Sequence, residues 1–155
     1  MTKLTILFVC TGNTCRSPMA MALMRRALDK RNRKDIIIES AGLSAHGQPA
    51  ALNAILAIAE LDNQYAQPLK AHISQNITAD QLDRADFVAV MSSGHAESVA
   101  ALGKDKDKIH ILSAGEVAGI ADPFGGDMEI YRKTRDQLEK AVESLADIVC
   151  SKERI

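Results

Sequence analysis

Tryptophan is absent from this sequence, and three phenylalanines with two tyrosines supply all of its aromatic content, 3% of 155 residues. A pocket that clamps a planar ring is hard to build from so few rings. Cysteine is nearly as scarce. Cys10, Cys15 and Cys150 are an odd number and too few for the disulfide framework of a small secreted domain. The histidines, His46, His72, His95 and His110, stand at no ligand spacing to those cysteines, so zinc is not expected, nor is any other metal or cofactor. Net charge is lacking too. Nineteen Lys and Arg against 20 Asp and Glu leave −1 at pH 7, so no global field draws the chain to nucleic acid or anionic lipid. No apolar run approaches the roughly 20 residues of a membrane span; the run near Ala54 to Ala59 is far too short. Met1-Thr2-Lys3 precedes the apolar Leu4 to Cys10, but polar Thr11-Gly12-Asn13 follows where a signal peptide needs a small-residue cleavage site. The expectation is a cytoplasmic, reduced protein.

What is present is an ordinary globular balance, 46% hydrophobic and 25% charged, which excludes a disordered tail or a fibrous repeat. The length suits one domain over 1–155, expected to be a monomer. Leu4 to Val9 is short, apolar and β-branched, as in a strand buried on both faces. Ser17-Pro18 then predicts a helix start, with Ser17 as cap and Pro18 at the first helical position. Ile36-Ile37-Ile38 predicts a second strand that ends at Ser40-Ala41-Gly42, Ala50 to Glu60 a helix, and Thr78-Ala79-Asp80-Gln81 a capping box that opens another. Asp86 to Met91 reads as a third strand, followed by a Ser93-capped helix to about Leu102, and Ile109 to Leu112 as a fourth strand. Asp127 to about Ser151 closes the chain as a long helix. Alternating strands and helices predict an α/β fold in three layers, a central four-stranded parallel sheet with helices on both faces. Ligands bind such sheets beyond the carboxyl ends of the strands.

The segment at that place is Cys10-Thr11-Gly12-Asn13-Thr14-Cys15-Arg16-Ser17. A loop between a buried strand and a helix start can converge its backbone N–H groups on one anion, and the helix adds partial positive charge. Gly12 and Asn13 tolerate the left-handed backbone that such a turn needs. No Gly-Lys-Ser/Thr stands at the helix entry, which excludes a Walker loop. The same groups favour Cys10 as a thiolate, and the planar fork of Arg16 can hold two phosphate oxygens where Lys could not. A nucleophile beneath a bound phosphate suits covalent phosphoryl transfer.

At these residues the chain resembles the low-molecular-weight protein tyrosine phosphatase family. The resemblance rests on Cys-x5-Arg-Ser after the first strand, on Asp122-Pro123-Phe124 far downstream, and on Ser40-Ala41-Gly42 after the second strand. It implies that Cys10 attacks phosphorus and that Asp122 protonates the leaving group and later takes a proton from water. Arg16 and the loop residues Thr11 to Ser17 would bind the phosphate. Ser17 would donate to the Cys10 sulfur. Asn13, Ser17, Ser40 and His72 match a network that holds the loop asparagine in left-handed backbone, a supporting role. Cys15 admits two readings, a redox partner for Cys10 or a small residue packing under the loop. Cys150 reads as a bystander.

Thr14 stands where tyrosine-selective members carry a bulky aliphatic residue, and Phe124 is followed by Gly125-Gly126 rather than a second aromatic. Cys10 to Ala20, Asp122 to Gly126 and Tyr131 to Asp136 are similar to the bacterial protein-arginine phosphatases of the same family. A Thr14 hydroxyl can pair with the N–H groups beside phosphorus in a phosphoarginine, whereas an aliphatic side chain leaves them unpaired at about 1–3 kcal/mol. Turn geometry alone is the plainer reading of Thr14. The expected substrate is a phosphorylated protein, with Thr14 and Phe124 setting selectivity for phosphoarginine; phosphotyrosine is the alternative. An arsenate reductase would need further downstream cysteines, and only Cys150 is there. A non-catalytic phosphate-binding module would lack one of Cys10, Arg16 or Asp122. The basic run Arg25, Arg26, Lys30, Arg31, Arg33 and Lys34 has no interleaved aromatics and reads as a solvated helix end rather than a nucleic-acid surface.

Overall fold

In the computed structural model, residues 3–152 are described. Met1 and Thr2, weighed above as the start of a signal sequence, and residues 153–155 lie outside them. The elements run β1 (Thr5–Cys10), α1 (Arg16–Lys30), β2 (Ile37–Gly42), α2 (Leu52–Leu61), α3 (Asn63–Ala66), a 3-10 turn (Gln67–Ala71), α4 (Ala79–Arg84), β3 (Phe87–Val90) and α5 (Ser93–Ala101). A second 3-10 turn (Lys106–Lys108), β4 (Ile109–Ile111), the short pair β5 (Ser113–Ala114) and β6 (Val117–Ala118), and α6 (Met128–Cys150) complete the chain.

The first four strands form one parallel sheet in the order β2-β1-β3-β4. Strand β1 lies inside it and is buried along its whole length. Its alternation splits the core. Ile6, Phe8 and Cys10 join Met19, Leu23, Leu138 and Val142 from α1 and α6, whereas Leu7 and Val9 join Leu82 and Val99 from α4 and α5. Helices thus cover both faces, as the strand–helix alternation predicts. The sheet order departs from β1 in opposite directions, through α1 to β2 and onward to β3. The loops after β1 and β3 therefore diverge at one point on the carboxyl edge, where a ligand crevice forms.

Several local expectations change. Helix α1 begins two residues early, at Arg16, and Cys15 holds the cap position without a side-chain cap bond. Ser17 is not the cap because its hydroxyl is committed elsewhere, to the Cys10 sulfur and the Asn13 amide. Pro18 falls third in the helix, still within the first turn, where its missing N–H has no intrahelical partner to lose. Ser92 rather than Ser93 caps α5, its Oγ accepting from the His95 N–H at 3.1 Å. Strand β2 starts at Ile37 rather than Ile36 and ends in Ser40-Ala41-Gly42 as expected, pairing those three residues with Phe8, Val9 and Cys10. The Thr78–Gln81 capping box is present.

The basic run is not simply solvated. Arg26 pairs with Glu139 at 2.9 Å, Lys30 with Glu143, Arg31 with Glu143 at 2.7 Å and with Asp147 at 3.0 Å, and Arg33 with Asp35 at 2.9 Å. Its charge complements the acidic edge of α6. Each surface pair contributes little alone, but those of Arg26, Lys30 and Arg31 together tie α1 and its C-terminal end to α6, whereas Arg33–Asp35 stays within the connection to β2.

Candidate active site

Cys10 ends β1 with its side chain nearly buried, and two donors reach its sulfur. The Ser17 hydroxyl lies at 2.9 Å and the Asn13 N–H at 3.3 Å.

The chain can turn this sharply because Asn13 adopts left-handed backbone, φ 57°. Gly12, the other residue expected to do so, does not. Asn13 is held from every side. Its amide nitrogen donates to Ser17 Oγ at 2.7 Å and to Ser40 Oγ at 3.1 Å, while its Oδ1 accepts from the Gln75 N–H at 3.0 Å. His72 Nε2 lies 2.8 Å from the Asn13 carbonyl. Such full pairing overcomes the cost of a non-glycine residue in this region. Gly42 on β2 closes in behind. A Cβ there would stand 2.7 Å from the Thr11 carbonyl oxygen and 3.0 Å from the Asn13 Cβ, so only glycine lets the strand end pass the loop.

The N–H groups of Gly12, Thr14 and Cys15 find no acceptor among the described residues. With Cys10, Arg16 and Asp122 they border a pocket of about 180 Å³, which Gln48 and Phe124 also line. Arg16 is buried at 6% exposure. Its Nη1 donates to the Ile120 carbonyl at 2.8 Å, and its Nη2 lies 3.7 Å from Asp122 Oδ2. Asp122 faces solvent at the mouth, and its Oδ1 accepts from the Phe124 N–H at 3.1 Å. The structure thus gathers around one pocket the sulfur, the guanidinium and the carboxylate that the sequence singles out, although Asp122 lies more than a hundred residues from Cys10. Phe124 is 77% exposed and is the one aromatic ring of Phe, Tyr or Trp among the described residues that line the pocket.

Cys15 points away from solvent into the packing beneath the loop. Its sulfur lies 3.2 Å from the Tyr131 hydroxyl of α6 and 3.6 Å from Thr14 Oγ1. Burial pushes the Cys15 thiol above its ordinary 9.0, against the lowering effect of its Tyr131 and Thr14 hydrogen bonds. Burial, then the Cys15 contact, pushes Tyr131 up strongly.

Residue-by-residue reading missed four participants. Gln48 and Gln75 sit in loops without periodicity, and nothing in the sequence signals them. Tyr131 stands out in the sequence only as part of the stretch Tyr131 to Asp136, and nothing there signals its contact with Cys15. His95 is different: it opens the helix after β3, the strand beside β1, so the strand order points to it once known. Its Nε2 lies 2.9 Å from Thr11 Oγ1.

A sulfur beneath an anion cradle, a bidentate cation beside it and a carboxyl group at the open side can perform in-line attack on phosphorus and protonate the departing group. Known proteins match this arrangement. Residues 5–154 match the family described as low molecular weight phosphotyrosine protein phosphatase. A protein-arginine-phosphatase of Geobacillus stearothermophilus is 39% identical over 147 residues, covering 92% of this chain and 93% of that protein. The low molecular weight protein-tyrosine-phosphatase PtpB of Staphylococcus aureus is 33% identical over 147 residues, covering 94% and 99%. A YwlE arginine phosphatase mutant, solved with a phosphorylated active-site serine, superposes with a TM-score of 0.83 at 34% identity, covering 97% of this chain and 98% of that one. The chain belongs to the low molecular weight phosphotyrosine protein phosphatase family.

Proposed function

We propose that this protein phosphatase hydrolyses phosphoarginine on protein substrates, in the cytoplasm and without a metal. The observation that carries the substrate assignment is Thr14, a hydroxyl side chain among the residues that line the pocket around Cys10. In phosphoarginine the atoms next to phosphorus are N–H groups, and a hydroxyl pairs with them where an aliphatic side chain leaves them bare. The likeness to a protein-arginine-phosphatase at 39% identity supports the same choice.

The roles follow from position. Arg16 and the unpaired loop amides take the phosphoryl oxygens. The Cys10 thiolate attacks phosphorus, the phosphorus–nitrogen bond breaks, and the Asp122 proton passes to the leaving guanidinium nitrogen. Water then attacks the thiophosphate while the Asp122 carboxylate takes its proton; the sulfur–phosphorus bond breaks, and phosphate leaves with Cys10 again a thiolate. Ser17, donating to the sulfur, stabilises that leaving thiolate, and Asn13, Ser40 and His72 keep the loop in shape. Phosphotyrosine is the second reading, favoured by the exposed Phe124 ring at the rim.

An arsenate reductase has less support. Cys150 ends α6, and its carbonyl accepts from Arg33 just past the end of α1. The loop sits at the other end of this 15-residue helix, about 22 Å away at 1.5 Å per residue.

The test compares turnover of phosphoarginine and phosphotyrosine peptides of one sequence. Faster hydrolysis of phosphoarginine is expected, and a strong preference for phosphotyrosine overturns the assignment. Replacing Cys10 with serine should abolish turnover of both, and near-normal phosphate release by that variant would remove the covalent mechanism.

A further inference from the structure

His95 lies outside every role assigned so far, yet it touches the phosphate loop. Its side chain sits in the first turn of α5 and is buried at 8% exposure. Its backbone N–H is taken by the Ser92 cap, and its Nε2 lies 2.9 Å from the Thr11 hydroxyl oxygen. The other ring nitrogen, Nδ1, is buried and has no partner among the described residues.

That orphan atom decides the tautomer. A neutral imidazole carries one N–H, and the bare nitrogen is an acceptor. If the proton were on Nδ1, a buried donor would go unpaired, the rarer and costlier arrangement. With the proton on Nε2, the ring donates to Thr11 Oγ1, and the orphan is only an acceptor. The neutral state follows from the same surroundings. Burial, then the nearby Arg16 charge, holds the imidazole below its ordinary range.

We infer that His95 is a positioning residue for phosphoryl binding: its Nε2–H fixes Thr11 Oγ1 as an acceptor, tethers the loop to α5, and leaves the Thr11 O–H as a further donor for a phosphoryl oxygen. Thr11 is one of the residues that line the pocket, so its freed O–H is available to an anion bound there. In the opposite arrangement the hydroxyl hydrogen would be spent on the imidazole, and the lone pairs of Thr11 would face a bound anion. The inference rests on the loop being the phosphate site.

Two measurements test it. A long-range proton–nitrogen NMR spectrum of the folded protein reads the tautomer directly. The Nε2–H form is expected, and an Nδ1–H form overturns the inference. The second is competitive inhibition by inorganic phosphate of aryl phosphate hydrolysis, with thermal unfolding followed in parallel. His95→Leu should raise the inhibition constant about tenfold, the effect of one hydrogen bond to a charged group. His95→Gln, which retains a donor near the Nε2 position, should restore most of it. Thr11→Val should reproduce the loss, and adding His95→Leu to Thr11→Val should weaken phosphate binding no further. A normal inhibition constant in His95→Leu, or fully additive losses in the double variant, would overturn the inference. If His95→Leu does not fold, Thr11→Val against Thr11→Ser decides: loss in the first and retention in the second supports it, and equal behaviour overturns it. A wild-type protein that neither hydrolyses the aryl phosphate nor binds phosphate would instead remove the phosphatase reading itself, and this inference with it.

Discussion

The guanidinium of Arg16 joins two loops that meet nowhere else in sequence: its Nη2 lies 3.7 Å from Asp122 Oδ2 while its Nη1 donates to the Ile120 carbonyl at 2.8 Å. The group proposed to hold the phosphate therefore also sets the position of the group proposed to protonate the leaving atom. At this separation, with Asp122 half exposed, the pair is a steering contact rather than a source of stability.

Asp122→Asn keeps the shape of the side chain and removes its proton. With phosphoarginine or alkyl phosphate substrates kcat should fall by about 10²-fold or more, the usual worth of general acid catalysis. An aryl phosphate with an acidic leaving group needs little protonation in the first step and should lose much less. Steady-state kinetics on both substrates check this, and equal losses would argue against the general-acid role.

Asn13 separates backbone strain from hydrogen bonding. Asn13→Ala must hold φ 57° without a side chain suited to it, at about 1–2 kcal/mol, and it also strips the contacts to Ser17, Ser40 and Gln75. Asn13→Gly loses the same contacts but not the backbone ease. In urea unfolding, Asn13→Ala should be the less stable of the two by about 1 kcal/mol. Both should bind phosphate more weakly than the wild type, because Ser17 and Ser40 lose their common partner.

Much of this was legible in the sequence, and the reasons differ by residue. Leu4 to Val9 reads as a doubly buried strand because its apolar run is unbroken, and the long helix expected from Asp127 to about Ser151 is α6, Met128–Cys150, with Asp127 at its cap and its Oδ1 accepting from the Ile130 N–H. Ser17 misleads because capping statistics count only local partners. Its hydroxyl is drawn instead to Cys10 and Asn13 by the return of the loop. Ser92 and Ser93 are adjacent serines, and only tertiary placement decides which one caps. The basic run after Arg25 looks solvated until α6, more than a hundred residues later, lays Glu139, Glu143 and Asp147 beside it. The contacts of Tyr131 and His95 with the loop escape notice for the same reason: each is made only across the fold, at Cys15 and at Thr11.

The contact of Cys15 with Tyr131 makes a pH prediction. Both groups are pushed up in the folded protein, first by burial in each case. The unfolded chain therefore gives up these protons more readily. The stability they contribute is complete below the ordinary cysteine value of 9.0 and is lost as pH rises through and beyond it. The urea midpoint should fall on alkalinisation from about pH 8 to about pH 10.5, where both unfolded groups ionise. Replacing Cys15 with alanine and Tyr131 with phenylalanine together should flatten that fall. A slope unchanged in the double variant would place the alkaline sensitivity elsewhere.

Thr14→Ile tests the chemical reason for substrate choice rather than the activity. The side chain follows Asn13 in the loop and borders the pocket beside Phe124, so substitution changes what the atoms next to phosphorus meet and leaves Cys10, Arg16 and Asp122 in place. Against a phosphoarginine peptide the variant leaves buried N–H groups unpaired, about 1–3 kcal/mol, so kcat/KM should fall by roughly five- to more than a hundredfold. Against phosphotyrosine the added methyl groups meet an apolar ring, and kcat/KM should hold or rise. Two results carry different meanings. A phosphoarginine preference that survives the substitution unchanged would leave the activity standing and remove Thr14 as its cause, shifting attention to Gln48 and Phe124 on the same wall. A loss shared equally by both substrates would mean that Thr14 shapes the loop itself, through its carbonyl bond to the Ala51 N–H at 3.0 Å and its neighbour Cys15, and selects nothing.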